Sequence, residues 1–265
     1  MITGIDHVVI LVADLEAAIA QYASVGFEVR RGGVHPGAGT ENALIPLADG
    51  SYLELLAVSD PAQAAHHPLW VQPDGRRRRA GEYGGFALST DDVDREAQRI
   101  VDTGVEMSAP RDGSRLRPDH TEIRWRVSFP REAGLPFLIE DVTPREIRVP
   151  PPRRGLGLRA SISEVRVASA GLAATAAAYR QFLGTPALGA APAAGEVHYL
   201  TPRGEITLLE AEYGARVHEV VLAVADWRVA THDVLSTLVR RGSTWQVPRE
   251  RAAGARLVLR PKGGG

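Results

Sequence analysis

Cysteine is absent from this chain of 265 residues. That excludes disulfides, thiolate metal ligands and cysteine nucleophiles, and it fits a reducing cytoplasm. Aromatic residues make up only 6%, so aliphatic and alanine packing must carry the core. The net charge of −1 gives no overall pull toward nucleic acid or an anionic membrane. No apolar run reaches the roughly 18 residues needed to cross a bilayer. The opening MITGIDHVVILV carries no basic leader before its apolar stretch. A nucleophile elbow of the Gly-x-Ser-x-Gly type is missing, as is a glycine-rich loop followed by lysine. The expectation is a cytoplasmic protein with neither nucleic-acid nor membrane partners.

Internal repetition is what the chain does have. IDHVVILVADLEAAIAQY (5–22) returns as VHEVVLAVADWRVATHDVL (217–235). Asp14 follows His7 by seven residues, and Asp226 follows Glu219 by the same step. Two weaker copies lie between, with Asp92 seven after Gly85 and Gly171 seven after Glu164. Each copy reads strand, cap, helix. The aspartates can accept hydrogen bonds from the free N–H groups of a first helical turn. Leu15, Ile19 and Tyr22 fall at helical intervals on one face. Gly26, Gly104, Gly184 and Gly242 follow the helix patterns, where a left-handed cap suits glycine. A unit repeated four times that cannot bury its own apolar face implies a fold built by stacking units.

After the first helix, 27–31, 41–48 and 51–58 read as strands, with a turn-rich loop at 32–39. In the second unit 121–129 and 135–142 read as strands, reached through a long connection at 59–82. The Pro/Arg-rich stretch 143–159 reads as an extended linker. It divides the chain into domains 1–142 and 160–265, each of two units.

The repeated pattern, strongest over residues 5–57, resembles the vicinal oxygen chelate superfamily and its glyoxalase-like domain branch. The resemblance extends across all four units. It implies an α+β fold of four βαβββ units paired into two half-barrel domains, the second degenerate. It also implies a divalent metal (Zn, Mn, Ni or Fe) held by first and last strands of paired units. Carried over to this chain, the ligand set is His7, Glu54 and Glu140, with Gly85 where a fourth ligand would stand. Glu54 and Glu140 are then the catalytic candidates, since a carboxylate can leave a metal to move a proton.

His7 shares a strand face with Val9 and Leu11, where it is either a cavity residue or a core histidine bonded to a carbonyl. Tyr52 shares a face with Glu54, and a carboxylate there is costly unless paired, solvated or metal-bound. His35, which the family motif also contains, Asn42 and Tyr52 are candidates for lining the cavity and binding the substrate. Arg124 and Arg126 share one face of 121–129, with Trp125 on the other. Arg124 facing inward would bind a carboxylate; facing outward, both arginines are solvated and Trp125 fills the core. His66 and His67 are adjacent in sequence and point apart on any regular element. The run Arg76–Arg79 reads as solvated loop surface. In the second half Glu164 and Glu219 stand in the His7 register and Glu210 near a last strand, without a full ligand set.

Two functions follow. The first is a metal-assisted lyase, isomerase or dioxygenase acting on a small oxygenated metabolite. The alternative is a metal-free protein that binds or sequesters a small molecule, as bleomycin resistance proteins do. A third option is a vestigial cavity with a role in assembly. The partners expected are a small-molecule ligand and a second copy of the chain in a homodimer.

Overall fold

The computed structural model describes residues 1–72, 74–188, 195–225 and 235–262. β1 (Ile2–Leu11) leads through α1 (Leu15–Ser24) to β2 (Arg30–His35), β3 (Thr40–Pro46) and β4 (Tyr52–Val58). The same order follows in β5 (Tyr83–Thr90), α2 (Val93–Asp102), β6 (Arg111–Leu116), β7 (Glu122–Ser128) and β8 (Phe137–Asp141). The helices start where the caps dictate. Asp14 accepts from the Ala17 N–H and Asp92 from the Arg95 N–H, each at 2.9 Å. Gly26, Gly104 and Gly184 take the positive φ expected past a helix end. Gly242 also has positive φ, but it turns the hairpin between two strands and does not close a helix. Asp226 and most of its helix pattern lie outside the described residues.

The eight strands close into a barrel in the order β1-β4-β3-β2-β6-β7-β8-β5. β1 is the hub, parallel to β4 and antiparallel to β5. Closure comes where Val34 on β2 pairs with Leu116 on β6. The first half therefore forms a closed barrel, which corrects the half-barrel expectation. The second half runs through β9 (Ala160–Ser169), α4 (Leu172–Leu183), β10 (Glu196–Leu200), β11 (Glu205–Glu210) and β12 (Arg216–Val224). It ends with β13 (Val239–Arg241), β14 (Thr244–Val247) and β15 (Leu257–Pro261). Its described strands form an open sheet of seven, ordered β10-β11-β9-β12-β15-β14-β13.

One buried apolar cluster runs from Ile5 and Val8 in the barrel to Leu257 and Leu259 in the open sheet. Tyrosines pin the two halves together. Tyr22 donates to the Ala252 carbonyl at 3.2 Å, Tyr83 to Arg256 at 2.6 Å and Tyr179 to Gly134 at 2.6 Å. The 143–159 stretch is packed, not extended. It carries α3 (Arg145–Arg148), and Arg148, Val149 and Leu156 are buried. Gly155 has φ +75° and passes so close to the first half that a Cβ would lie 2.3 Å from the Gly26 carbonyl oxygen.

The register shows a local twofold. Val8 pairs with Phe86, His7 with Ala87, and Val9 with Gly85, so His7 and Gly85 exchange places. β4 sets Glu54 opposite Val9, and β8 sets Phe137 opposite Ala87. Phe137, not Glu140, thus occupies the position equivalent to Glu54. The open sheet keeps the same pattern, with Val165 opposite Val220, Glu164 opposite Val221 and Arg166 opposite Glu219.

Candidate functional site in the first barrel

The barrel encloses a cavity of about 560 Å³, within the usual range for small-molecule sites. His7, Tyr52 and Glu54 line it from β1 and β4, His35 and Asn42 from β2 and β3. Opposite lies an apolar wall of Trp125, Val127, Phe129, Phe137 and Ile139. One side of the cavity is therefore polar and the other greasy.

The polar side is built on a β-bulge. Ile5 pairs with Leu88 and His7 with Ala87, which leaves Asp6 as an extra residue on β1. A bulge re-aims side chains, and here two successive residues join one network. Asp6 is fully buried, and its carboxylate meets His7 Nδ1 at 2.6 Å. Arg148 Nη2 donates to Asp6 Oδ2 at 2.9 Å, and Arg145 also pairs with that carboxylate. The other edge of the imidazole, Nε2, lies 3.4 Å from Glu54 Oε2. Asn42 Nδ2 then donates to Glu54 Oε1 at 2.6 Å. Gly32 makes room for that amide, since a Cβ there would lie 2.0 Å from Asn42 Oδ1.

Electrostatics follow from this chain of contacts. Burial works against a charged His7, but the Asp6 and Glu54 carboxylates outweigh it and hold its pKa above the usual value. Burial likewise opposes ionisation of Glu54, yet His7 and Asn42 pull its pKa down to about 2. His35 has no carboxylate bonded to it. Burial pushes it down to about 4, and its Nδ1 meets Thr40 Oγ1 at 2.8 Å. Arg148 also donates from Nη1 to the Tyr52 hydroxyl at 2.9 Å. His7 stacks on the Tyr52 ring at 4.5 Å and meets the Phe137 ring edge-on at 5.5 Å.

Among the residues that line the cavity, two buried polar atoms lack hydrogen-bond partners among the described residues, Arg115 Nε and Asn42 Oδ1. Arg115 is otherwise fixed by a bond to the Arg148 carbonyl. Asp6, Arg115 and Arg148 are site residues that the sequence pattern does not single out. An aspartate inside an apolar strand, next to a candidate histidine, is the one signal that could have found the first.

Other candidates are placed differently. Glu140 lies outside the cavity, because it has the opposite strand parity to Phe137 and Ile139. Its Oε2 accepts from the Val93 N–H at 3.0 Å, on the first turn of α2. Arg124 is exposed at the cavity rim. Arg126 turns outward to Asp94 on α2, while Trp125 faces the cavity. His66 and His67 stand at the cavity wall, and burial pushes His67 down to about 4. In the open sheet Glu164 is consumed by Arg166 and Thr207, each at 2.7 Å. Arg166 also reaches Glu219 at 3.2 Å, and Glu210 is exposed.

Residues 5–183 match the glyoxalase-like domain family. The chain belongs to this family. Its fold is that of the vicinal oxygen chelate superfamily, and solved structures agree. A hypothetical protein from Staphylococcus aureus superposes with a TM-score of 0.73 at 15% identity, over 97% of this chain and 99% of that one. A mutant of 4-hydroxymandelate synthase from Streptomyces coelicolor gives 0.64 at 15% identity, over 100% and 95%. The Mn(II)-bound glyoxalase from Novosphingobium aromaticivorans gives 0.59 at 17% identity, over 97% and 81%. These likenesses establish the fold. No curated protein matches the chain.

Glyoxalase-like relatives raise the question of a divalent ion, and the residues here do not fit one. Among the described residues no group of three or more His, Asp or Glu is arranged to hold a metal. His7 and Glu54 are two donors, already engaged with each other, and Glu140 is outside the barrel. Gly85, at the twofold equivalent of His7, has φ +143°, a conformation that strains any side chain. Phe137, at the equivalent of Glu54, puts a ring against His7. The closing side of the ligand shell is therefore backbone and hydrocarbon.

Proposed function

We propose that the first barrel binds a small oxygenated organic molecule without a metal. The observation that carries this reading is the replacement of the two symmetry-related ligand positions by Gly85 and Phe137, beside an intact, half-polar cavity. Arg115 and Asn42 line the polar side, where ligand oxygens can meet a guanidinium and an amide. The apolar wall takes a hydrocarbon or aromatic body. Arg124 and Arg111 at the cavity favour an anionic head, so a small carboxylic acid fits best. His35, Asn42 and Tyr52 are the further contacts.

The metal-assisted reading needs three donors gathered around one point, and no such group is found among the described residues. Metal-free proton abstraction by Glu54 is also disfavoured. A base held at about 2 lies far below neutral pH, where a general base works best. Binding, or sequestration, is the better-supported activity.

A thermal-shift panel of aliphatic and aromatic carboxylic acids, run in excess chelator, tests it. A hit should raise Tm through preferential binding to the folded state, and Arg115→Gln should remove the gain. A panel giving no shift with chelator but a shift with added Zn or Mn would favour the metal-assisted enzyme instead.

A further inference from the structure

The Arg76–Arg79 run, a solvated loop by sequence, is one wall of a second cleft. That cleft, about 640 Å³ in volume, lies between the two halves. Arg216, Arg249 and Arg256 from the second half close the other side, and Glu82 is the one carboxylate-bearing residue on the described lining. A chain with net charge −1 thus lines one opening with seven arginines.

Few of these charges are neutralised. Arg76 is paired with Asp74 at 2.7 Å, and Arg216 lies 3.8 Å from Glu82 and 4.0 Å above the Tyr213 ring. Four others spend their side-chain hydrogen bonds on neutral groups. Arg77 donates to the Ala65 carbonyl at 3.4 Å. Arg78 donates to the Pro68 and Leu69 carbonyls at 3.2 Å, and Arg249 to Gly254 at 3.0 Å. Arg256 Nη1 lies 3.0 Å from His218 Nε2, whose Nδ1 meets the Tyr213 hydroxyl at 2.6 Å. Among the described residues, Arg77, Arg78, Arg79, Arg249 and Arg256 have no ion-pair partner. Backbone carbonyls fix the direction of three of these side chains and leave their charge uncompensated.

We infer that this cleft binds the diphosphate or triphosphate group of a small molecule. Guanidinium groups grip phosphate oxygens in pairs, and several on facing walls match a compact, multiply charged anion better than a single carboxylate. The volume is that of a small-ligand site. A nucleic-acid strand is the poorer fit, because Tyr213 is covered by Arg216 and the Tyr83 hydroxyl is tied to the Arg256 carbonyl, leaving no stacking platform among the described residues.

The test uses the full chain with inorganic pyrophosphate and triphosphate, followed by calorimetry and by NMR of the His218 ring. One-to-one saturable binding is expected, weakening as salt rises. The His218 resonances should move. Burial and the neighbouring arginines hold its pKa below the usual value, and an anion beside Arg256 and Arg216 offsets those cations. Arg79→Glu and Arg249→Glu, both at exposed positions, should lower affinity at least tenfold with Tm unchanged, and Arg95→Glu on α2 should leave it intact. No saturable heat at millimolar pyrophosphate, or wild-type affinity in both cleft variants, would overturn the proposal. A single-stranded oligonucleotide binding more tightly than triphosphate, with affinity growing with length, would also overturn it and assign the cleft to nucleic acid. Carboxylic acids that bind the barrel should leave the pyrophosphate affinity unchanged, which keeps the two sites separable.

Discussion

The barrel and the open sheet arrange their described strands around the same antiparallel twofold, yet among the described residues only the barrel closes. In the barrel, β2 reaches β6 at Val34 and Leu116 and the sheet encloses space. In the open sheet the described edges, β10 and β13, do not pair. The charges follow the geometry. His7 looks at Glu54 across 3.4 Å with the cavity beside them. In the same register Glu164 takes a hydroxyl from Thr207 and a guanidinium from Arg166 and is satisfied within the sheet. Closure of the first sheet is what sets His7 and Glu54 beside a cavity.

Removing one carboxylate from each half gives the largest contrast. Asp6→Ala should cost about 3–5 kcal/mol, because it strands the buried Arg148 and His7 charges. Glu164→Ala should cost about 1 kcal/mol, since Arg166 is 36% exposed and water can replace its partner. Urea denaturation of both variants measures the difference, and equal losses would break the comparison.

Acid should strike the barrel next. His35 and His67 fall from 6.5 in the unfolded chain to about 4 when folded. The unfolded state therefore binds more protons in this window, and stability drops as pH falls from about 6.5 to 4. The loss is on the order of 3 kcal/mol for a fully buried histidine. His7 acts in the opposite sense. Its raised pKa contributes stability below 6.5, which is lost as pH rises through the folded value. Stability curves at several pH values should show a shallower acid limb in His35→Gln than in wild type.

A smaller test sits on the twofold. Gly85→Ala meets no near neighbour, its Cβ lying 3.8 Å from Leu69 Cδ2, so its cost is backbone strain alone. About 1–2 kcal/mol is expected. Glu219, its counterpart in the open sheet, carries a carboxyl whose pKa burial pushes up. Glu219→Ala should cost less than about 0.5 kcal/mol. Chemical denaturation of the pair checks both values.

Much of this was legible in the chain because it is local. Asp14 and Asp92 announce their helices through bonds three residues ahead. His7 and Glu54 could be brought together because parity within β1 and β4 is readable. Glu140 was misplaced because its facing depends on how β8 registers against β5, about 50 residues away in sequence. Asp6 was invisible for a related reason. Strict alternation puts it opposite His7, and only the bulge turns both into one network. Arg148 was hidden in a stretch whose prolines and arginines read as linker, although it packs beneath the barrel's polar wall. The cationic cleft needed two distant segments to meet, and no periodicity in either announces the other.

Calorimetric titration of Zn, Mn, Ni and Fe(II) into chelator-treated protein bears straight on whether the closed barrel is a metal-free binding site. A shell closed by Gly85 and Phe137 should give no one-to-one binding of any of these ions at the barrel, and identical traces for wild type and His7→Ala. Stoichiometric binding by the wild type that His7→Ala or Glu54→Ala abolishes would contradict it.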